Sequence, residues 1–359
     1  MPPYWWYVTP DAAELERRAR KQLTPQVYDY YAGGAGRERT LRASEKAWRQ
    51  VGLAARVLRD VSVVDTSARL LGTEVATPLA VAPTGYHGLA HPDGELASAA
   101  GAARAGALFV LSTRSSRRIE DVAGVVAAGQ GTWWFQVYVM RDRELTAGLV
   151  RRAAAAGAAA LVLTADTPVV GRKRRDSGDD VVSGDHFLAN LGPLDDLTAA
   201  SQAADVTFAD IGWLREAGGG LPVVVKGVLR GDDAAACRAA GAAAVIVSNH
   251  GGRQLDGALT AAAALPGVTA ALSRDGGGEI YADGGIRTGE DALAALALGA
   301  AAVFLGRPVL WALTCGGADG VWSLLSGLTG DLAHAMTLAG TPSVADVAGI
   351  AVAPGAPPP

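Results

Sequence analysis

Short apolar segments alternate with longer, alanine-rich segments along the chain from residue 79 onward. Each apolar segment is continuous rather than interleaved with polar residues, which is typical of strands buried on both faces of a parallel sheet. The alanine-rich segments have the composition of helices, and several end at a glycine that can form a left-handed cap. The pattern predicts strands over 79–85, 108–113, 133–139, 160–166, 222–228, 244–250, 279–285 and 302–308.

Eight strands separated by helices indicate a closed α/β barrel rather than an open sheet. The intervening helices are predicted to include 95–107, 141–158, 232–241 and 289–299. We therefore expect a (β/α)8 TIM barrel. In such barrels the chemistry takes place at the carboxyl ends of the strands.

A helical segment is predicted before the barrel, in residues 1–60, and is expected to pack on it. Thr24 is a suitable N-cap because Pro25 follows it at the first helical position, and this helix is expected to end at the next pair of glycines. The barrel itself is predicted over 61–345. The proline-rich tail over 346–359 is predicted to be disordered.

The longest spacing between the starts of two predicted strands is the 62 residues from Ala160 to Pro222, about twice what one βα unit requires. The extra residues are polar and follow the fourth strand. We expect residues 171–206 to form a lid loop over the active face of the barrel. A surface loop without a role in function is the alternative.

Composition and charge narrow the classes of function. Half of the 359 residues are apolar and 19% are charged, which allows a large core, and the net charge of −4 gives no electrostatic case for binding nucleic acid or an anionic membrane. Cys237 and Cys315 are too few for a disulfide framework in a chain of this length. The amino terminus lacks the basic region of a signal peptide, and no apolar run reaches the ~20 residues needed to span a bilayer. These features predict a soluble cytoplasmic protein without a metal site.

Residues 248–257 follow a predicted buried strand and carry side chains suited to chemistry. His250 is a candidate base and Arg253 a candidate clamp for a carboxylate, because an arginine can hold both carboxylate oxygens. The glycines between them let the backbone turn and allow a flat ligand to approach. A histidine after a strand is by itself more often structural than catalytic, so the rest of the site decides the interpretation.

The seventh and eighth predicted strands end in glycine- and arginine-rich segments. In many barrels the loops after these two strands bind a phosphate, which glycine amides, a helix N-terminus and arginine donors stabilise together. The segments therefore predict a phosphorylated cofactor or substrate. They contain Asp283, Gly284, Gly285, Arg287, Gly306 and Arg307.

Polar residues also interrupt the apolar strands near their carboxyl ends, where a ligand or water must satisfy them. Lys226 follows three valines, and a lysine buried there needs an anionic partner, such as an electron-rich ring that becomes negatively charged. The set comprises Pro83, Thr84, Gly85, Ser112, Gln136, Tyr138, Thr164, Asp166, Lys226 and Ser248.

The sequence Ser-Asn-His-Gly-Gly-Arg-Gln-Leu-Asp over residues 248–256 resembles the active-site motif of the FMN-dependent 2-hydroxy acid oxidising family. This family includes glycolate oxidases, lactate oxidases, mandelate dehydrogenases and 4-hydroxymandelate oxidases. The resemblance covers residues 10 to 345 and includes further motifs in the same order, at 28–31, 82–84, 91–95, 135–138, 164–168, 225–227, 283–285 and 305–308.

The resemblance implies that FMN lies across the mouth of the barrel. Its phosphate would be held by the residues that end the seventh and eighth strands, and Lys226 would stabilise negative charge near N1 of the reduced flavin. The ring and ribityl chain would contact Pro83, Thr84, Gly85, Ser112, Gln136, Thr164, Lys226 and Ser248.

The resemblance also assigns the catalytic roles. His250 matches the base, Asp166 the carboxylate that stabilises its protonated form, and Arg253 the donor to the substrate carboxylate, while Tyr30 and Tyr138 match hydroxyl donors to the substrate. An (S)-2-hydroxy acid would lose a proton from carbon or from its hydroxyl, and two electrons would reach flavin N5 to leave a 2-oxo acid. Oxygen, a quinone or a carrier protein would reoxidise the flavin, and a homotetramer is implied.

The chain departs from the family after the fourth strand, where Lys173 replaces an arginine of a Gly-x-Arg-x-x-Asp pattern. Lysine keeps the charge but loses the planar fork. Either Arg172 or Arg174 takes over by a shift of the loop, or the substrate differs from glycolate. A solvated lid without a binding role is the remaining interpretation of this basic segment.

Three further residues near the predicted flavin site bear on the choice of substrate within the family. Gly85 replaces the alanine of some relatives and leaves room for a bulky substrate side chain, Arg114 stands where glycolate oxidases have an aromatic residue, and Tyr86 favours the aromatic-substrate branch. The alternatives are another phosphate-binding FMN barrel, such as an isomerase or an amidotransferase-linked synthase, and a repurposed barrel without activity. The pairing of His250 with Arg253 argues against an isomerase or a synthase.

Overall fold

The computed structural model describes residues 11–175, 189–191, 197–274 and 277–352. Its centre is a closed barrel of eight parallel strands, in which the eighth strand pairs with the first through Val303 and Leu79. The predicted (β/α)8 barrel is confirmed. The strands are β1 Leu79–Val81, β2 Phe109–Ser112, β3 Trp133–Val137, β4 Leu161–Thr164, β5 Val223–Val228, β6 Ala244–Val247, β7 Glu279–Asp283 and β8 Ala302–Leu305.

Most strands end a few residues before the predicted boundary because polar and glycine residues turn the chain out of the sheet. The eighth strand shows the reason most clearly. It was expected to reach residue 308, but it ends at Leu305, and Arg307 and Pro308 instead begin a long helix. Proline has its fixed φ and lacks an N–H, so it suits the first helical turn better than a strand interior. The residues after each strand form the rim of the barrel mouth.

Eleven helices are described. Three precede the barrel, and the others follow its strands and pack around it. They are α1 Ala12–Gln22, α2 Pro25–Ala32, α3 Arg39–Trp48, α4 Glu95–Arg104, α5 Ile119–Ala128, α6 Arg143–Ala155, α7 Ala209–Ala217, α8 Gly231–Ala239, α9 Ala261–Arg274, α10 Gly289–Ala297 and α11 Arg307–Ala339. None of the helices in the described ranges is long and apolar enough to cross a bilayer.

The barrel interior is filled by large side chains. Trp134, Tyr281 and Phe304 pack against one another with ring centroids 5.6–6.0 Å apart, and all three are almost fully buried. A short antiparallel hairpin, Ala68–Leu70 with Thr73–Val75, packs on this inner cluster. Because the interior is solid, a ligand can bind only at an end of the barrel.

From residue 11 the predicted N-terminal segment is helical, but only as far as Trp48, and residues 1–10 lie outside the described residues. The Thr24 hydroxyl accepts a hydrogen bond from the Val27 amide, and α2 ends at Gly33. The expectation that helices continue toward residue 60 is wrong, because Gly52–Leu53 pairs in an antiparallel ribbon with Ala351–Val352.

That ribbon also corrects the predicted disordered tail over 346–359. Residues 346–352 are ordered, since they complete the turn Val344–Val347 and form the second strand of the ribbon. The rest of the predicted tail, 353–359, lies outside the described residues. The domain boundaries themselves stay a prediction.

The two ends of the predicted lid, 171–206, contact the rim of the barrel. Lys173 forms an isolated antiparallel bridge with Ala35, and Gln202 forms one with Met140 after β3. Along the chain, the turn Leu197–Ala200 lies between Lys173 and Gln202. Residues 176–188 and 192–196 of this segment lie outside the described residues, and its role as a lid stays a prediction.

Candidate active site at the barrel mouth

A cavity of ≈ 760 Å³ lies at the carboxyl ends of the strands, a volume that suits a cofactor together with a small substrate. Most of the residues singled out from the sequence line it: Tyr30, Pro83, Thr84, Gly85, Ser112, Tyr138, Lys173, Lys226, His250, Arg253, Asp283, Gly284, Gly285, Arg287, Gly306 and Arg307. Four of the predicted residues do not line the cavity. Three of these, Gln136, Ser248 and Asp166, form hydrogen bonds with the lining residues Ser112, Lys226 and His250, respectively. The fourth is Thr164.

His250 is carried on a turn with unusual backbone geometry. His250, Gly251 and Gly252 all have positive φ, of 57°, 62° and 73°. The Asn249 side chain stabilises the turn by accepting a hydrogen bond from the Gly252 amide and donating one to Ser44. A left-handed conformation is uncommon for a histidine and costs energy, and such strain is often found at functional sites.

Asp166 fixes the orientation of the His250 ring. Its Oδ1 lies 2.9 Å from His250 Nδ1, while the Tyr138 hydroxyl lies 3.4 Å from Nε2. Burial alone would raise the pKa of Asp166, but the charges of His250 and Lys226 together with hydrogen bonds bring it below the usual value. The charged carboxylate therefore holds Nδ1–H and leaves Nε2 as the basic nitrogen.

The phenols of the site are hydrogen-bond donors at neutral pH. Burial raises the pKa of Tyr138 well above its usual value, and the charge of Asp166 raises it further. Because an ionised phenol is disfavoured there, Tyr138 can donate its proton in a hydrogen bond to a bound anion.

Arg253 is anchored by the end of helix α2. Its Nη1 donates to the carbonyls of Tyr30, Tyr31 and Gly33 at 2.7, 3.2 and 2.9 Å. The carboxyl end of a helix carries partial negative charge, which suits a guanidinium. These bonds fix one nitrogen of the fork while the side chain still lines the cavity.

The basic segment after β4 contributes one side chain to the cavity. Of residues 172–174, all within the described chain, Lys173 alone lines it, and Arg175 is held in an ion pair with Glu38 at 2.7 Å. The geometry thus favours Lys173 over Arg172 or Arg174 as the cation beside the substrate.

Lys226 is a buried cation at the floor of the cavity. Its Nζ lies 3.0 Å from Asp283 Oδ2 and donates to Ser248 Oγ at 2.8 Å. Burial would lower the pKa of Lys226, but Asp283 and Asp166 raise it above the usual value, so the ammonium stays charged. The sequence predicts that a buried Lys226 needs an anionic partner. The carboxylate of Asp283 supplies one.

A buried amide links three of the predicted cofactor residues. The Gln136 side chain accepts a hydrogen bond from Ser112 Oγ at 3.0 Å and donates to Thr164 Oγ1 at 2.9 Å. Gln136 and Thr164 are buried and do not line the cavity. They therefore act on it indirectly, by holding the hydroxyl of Ser112 in position through these hydrogen bonds.

Sequence reasoning missed His87 and Gln254. The buried His87 ring hydrogen-bonds the hydroxyl of Thr84 on one side and Ser98 on the other, and burial lowers its pKa. Gln254 bridges the loop after β4 by donating to the carbonyl of Asp166. Gln254 could have been found from the sequence, because it lies inside the 248–257 segment. His87 could not, because no pattern in the sequence distinguishes it from an ordinary core histidine.

The predicted phosphate site combines a tight glycine turn with arginines. Gly284 and Gly285 have φ of 86° and 95°, and a Cβ on Gly285 would lie 2.3 Å from the Ser44 carbonyl oxygen. Arg287 pairs with Glu45 at 2.7 Å. Arg307 begins α11, so that the positive end of a helix dipole faces this corner.

Arg307 shows that this corner carries surplus positive charge. Its three nitrogens donate to the carbonyls of Tyr31, Gly251 and Gly33 at 3.0–3.1 Å, and it forms no ion pair within the described chain. Burial, then the nearby Arg253 and Arg287, lower the pKa of Arg307 to about 9. A phosphate dianion would offset this charge, so the residues present fit the phosphate of FMN.

Replacing Gly285 with alanine should lower the stability by at least about 1–3 kcal/mol and reduce the FMN content, because its φ is left-handed and its Cβ would overlap Ser44. Urea unfolding and the bound flavin measure both effects. Gly148, in helix α6 with nothing within 4 Å, is the matched control. Gly148→Ala should stabilise the protein by about 0.5–1 kcal/mol, and equal effects of both substitutions would contradict the assignment.

Replacing Arg307 with glutamine should lower the affinity for FMN by about 10–100-fold, because a charge-assisted hydrogen bond to the phosphate is lost. The affinity for riboflavin, which lacks the phosphate, should change much less. Fluorescence titration of the apoprotein with the two flavins measures the difference. An equal loss for both flavins would show that Arg307 acts only by holding the carbonyls around it.

Comparisons with known proteins agree with this site. Residues 19–353 match the model of a family described as FMN-dependent dehydrogenase. The chain is 43% identical over 351 residues to an L-lactate oxidase from Nostoc sp. (93% of this chain, 95% of the relative) and 43% identical over 344 residues to a 4-hydroxymandelate oxidase from Amycolatopsis orientalis (92% and 95%).

Solved structures of mandelate oxidase have the same fold. One superposes with a TM-score of 0.86 at 43% identity, covering 94% of this chain and 96% of that chain. A variant of mandelate oxidase that contains a C4a-hydroxy FMN adduct superposes with a TM-score of 0.84 at 42% identity, covering 93% and 97%. The chain belongs to the FMN-dependent dehydrogenase family of 2-hydroxy acid oxidising enzymes, and its cofactor is FMN.

Proposed function

We propose that this protein oxidises an (S)-2-hydroxy acid to the corresponding 2-oxo acid, with FMN as the electron acceptor. The observation that carries the proposal is that His250, oriented by Asp166 at 2.9 Å, and Arg253 line one cavity together with the residues that fit FMN. A base and a carboxylate clamp are the two groups that this reaction requires of the protein.

Arg253 binds the carboxylate of the substrate, and Lys173 adds a second positive charge at the same side of the cavity. The hydroxyl groups of Tyr30 and Tyr138 donate hydrogen bonds to the bound acid. Together these contacts orient the substrate so that its C2 carbon and hydroxyl face the basic nitrogen of His250.

His250 takes one proton from the substrate at Nε2. The same nitrogen serves whether the proton leaves from C2 or from the hydroxyl. The charged Asp166 stabilises the imidazolium that forms, because its carboxylate already holds Nδ1–H.

Bound FMN supplies a two-electron acceptor next to the substrate. Lys226 offsets negative charge that develops at the floor of the cavity, and its pairing with Asp283 keeps its ammonium in place. Arg287, Arg307 and the Gly284–Gly285 turn would hold the phosphate of the bound cofactor.

Oxygen is the proposed final acceptor, since relatives that cover most of the chain are named oxidases. Hydrogen peroxide formed in proportion to the 2-oxo acid would support this proposal. A quinone or carrier protein that accelerates turnover in air would contradict it. The homotetramer and the cytoplasmic location stay predictions.

Anaerobic mixing with a panel of 2-hydroxy acids tests the proposal. Glycolate, lactate, mandelate and 4-hydroxymandelate are each added to the holoenzyme, and at least one should bleach the visible absorbance of the flavin. Dithionite serves as the control for a reducible cofactor. If dithionite bleaches the flavin and no 2-hydroxy acid does, the proposed function is wrong, and an isomerase, a synthase or an inactive barrel becomes the better interpretation.

A further inference from the structure

His87 is a buried histidine that the proposed reaction does not use. It lies in a turn after strand β1, and its ring packs edge-to-face on Phe109 with ring centroids 6.4 Å apart. Its backbone amide donates to Glu95 Oε1 at 2.9 Å, which fixes the turn. The imidazole is therefore held in one orientation below the mouth of the barrel.

Each nitrogen of the His87 ring has a hydroxyl group as its partner. Nε2 hydrogen-bonds Thr84 Oγ1, and Nδ1 lies 2.8 Å from Ser98 Oγ. Burial lowers the pKa of His87, although the charge of Glu95 acts against this shift, so the ring is neutral at neutral pH. A neutral imidazole carries one N–H, so it donates to one hydroxyl and accepts from the other.

The Ser98 hydroxyl decides which nitrogen carries the proton. Ser98 is fully buried on helix α4, so its hydroxyl needs an acceptor. His87 Nδ1 lies at 2.8 Å and the Gly94 carbonyl oxygen at 3.5 Å, and this carbonyl already accepts the Ser98 amide at 3.2 Å. A hydrogen bond of 3.5 Å is weak, so the imidazole is the better acceptor.

Other hydroxyls on the described helices bond the carbonyl four residues earlier at a much shorter distance. Ser98 is different because its hydroxyl is turned toward the imidazole. Ser98 therefore donates to Nδ1, the ring proton lies on Nε2, and Nε2–H donates to Thr84. The hydroxyls used for comparison, all 2.8–2.9 Å from their carbonyls, are those of Ser44, Ser273, Thr314, Thr329 and Thr337.

The Thr84 hydroxyl keeps its own proton for another partner. Its oxygen accepts from His87, so the hydroxyl proton is not used in that bond. Thr84 lines the cavity, and its methyl carbon would lie 3.6 Å from a Cβ on Gly306, next to the corner that fits the phosphate. Thr84 therefore offers a hydrogen-bond donor to a ligand held by these residues.

We propose that His87 is a positioning residue for the cofactor, which commits the Thr84 hydroxyl to donate a hydrogen bond to the ring of bound FMN. The oxygen atoms of this ring become more negative on reduction, so a donor favours the reduced form. The proposal concerns the cofactor alone and does not depend on which substrate is oxidised.

Loss of this hydrogen bond should weaken the binding of reduced FMN more than that of oxidised FMN. Thr84→Val should change the ratio of the two affinities by about tenfold, which lowers the midpoint potential by about 30 mV for a two-electron couple. His87→Leu should change the ratio by about 3–10-fold, because the Thr84 hydroxyl is then free to rotate.

The competing role for His87 is packing in the core. Loss of packing would weaken the binding of oxidised and reduced FMN alike and would leave the potential unchanged. Anaerobic redox titration of the holoenzyme against a reference dye measures the potential. Fluorescence titration of the apoprotein measures the affinity for oxidised FMN, and neither measurement requires a substrate.

Three further variants complete the comparison. His87→Gln should keep the potential of the unmodified protein, because a side-chain amide can also accept from Ser98 and donate to Thr84. Ser98→Ala, a milder change, lets the ring adopt either tautomer and should change the affinity ratio by about twofold. Ser273→Ala removes a helical hydroxyl that is exposed on α9, so it is the matched control and should have no effect.

A double-mutant cycle with Thr84→Val shows whether His87 acts through the hydroxyl. A potential that falls in His87→Leu, but does not fall further when this change is added to Thr84→Val, supports the proposal. An unchanged or raised potential in His87→Leu, or an equal fall in both backgrounds, overturns it. If His87→Leu does not fold, the same cycle with Ser98→Ala decides. Either result leaves the proposed function to its own test, because no substrate is present.

Discussion

We expect His250→Asn to lower the rate of anaerobic flavin reduction by about 10²–10⁴-fold, the usual contribution of a general base. FMN should stay bound, because most of the predicted cofactor contacts, including those to the phosphate, lie on other strands. Asparagine is the suitable replacement since it tolerates the left-handed backbone that His250 adopts, at φ 57°. Stopped-flow absorbance with a saturating 2-hydroxy acid measures the rate, and the flavin spectrum confirms occupancy.

His334→Asn is the control for this substitution. His334 is exposed on helix α11, so its replacement should leave the rate of flavin reduction unchanged. A His250→Asn protein that binds FMN and is reduced at the normal rate would contradict the assignment of the base. A loss of FMN from the variant would instead indicate a structural role for the turn over 250–252.

Replacing Lys226 with methionine should destabilise the protein by about 3–5 kcal/mol, because Asp283 would be left buried without its charged partner. The same variant should show slower flavin reduction, since the cation at the floor of the cavity is lost. Urea unfolding of the apoprotein measures the first effect, and stopped-flow measures the second on whatever holoenzyme forms.

The double variant Lys226→Met with Asp283→Leu separates the two effects. Replacing a buried ion pair by apolar residues of similar size is often neutral for stability, so much of the unfolding free energy should return. The rate of flavin reduction should stay low because the charge is still absent. Recovery of both quantities would show that Lys226 serves the fold alone.

The barrel could be predicted from the sequence because buried parallel strands are continuous apolar segments, and each of the eight is present. Their ends could not be placed as well. A residue such as Pro308 fits both a strand end and a first helical turn, and only the packing of α11 decides between them. The order in residues 346–352 also depends on a distant partner, Gly52–Leu53, which no local pattern reveals.

The site was predictable to the extent that its residues end strands or resemble the family motif. The partner of Lys226 could not be predicted, because Asp283 ends β7, two strands away from β5, and was assigned to the cofactor. His87 was missed for a similar reason, since its hydrogen bond to Thr84 depends on burial rather than on spacing. The position of Lys173 at the cavity likewise depends on its bridge to Ala35.

A crystal structure of the holoenzyme with a bound 2-oxo acid product tests the central claim most directly. The claim predicts that the product carboxylate lies about 3 Å from the guanidinium of Arg253. It also predicts that the C2 oxygen faces His250 Nε2, with the FMN ring beside both and its phosphate at Arg307. A product bound away from His250 and Arg253, or a phosphate outside the Gly284–Gly285 turn, would contradict it.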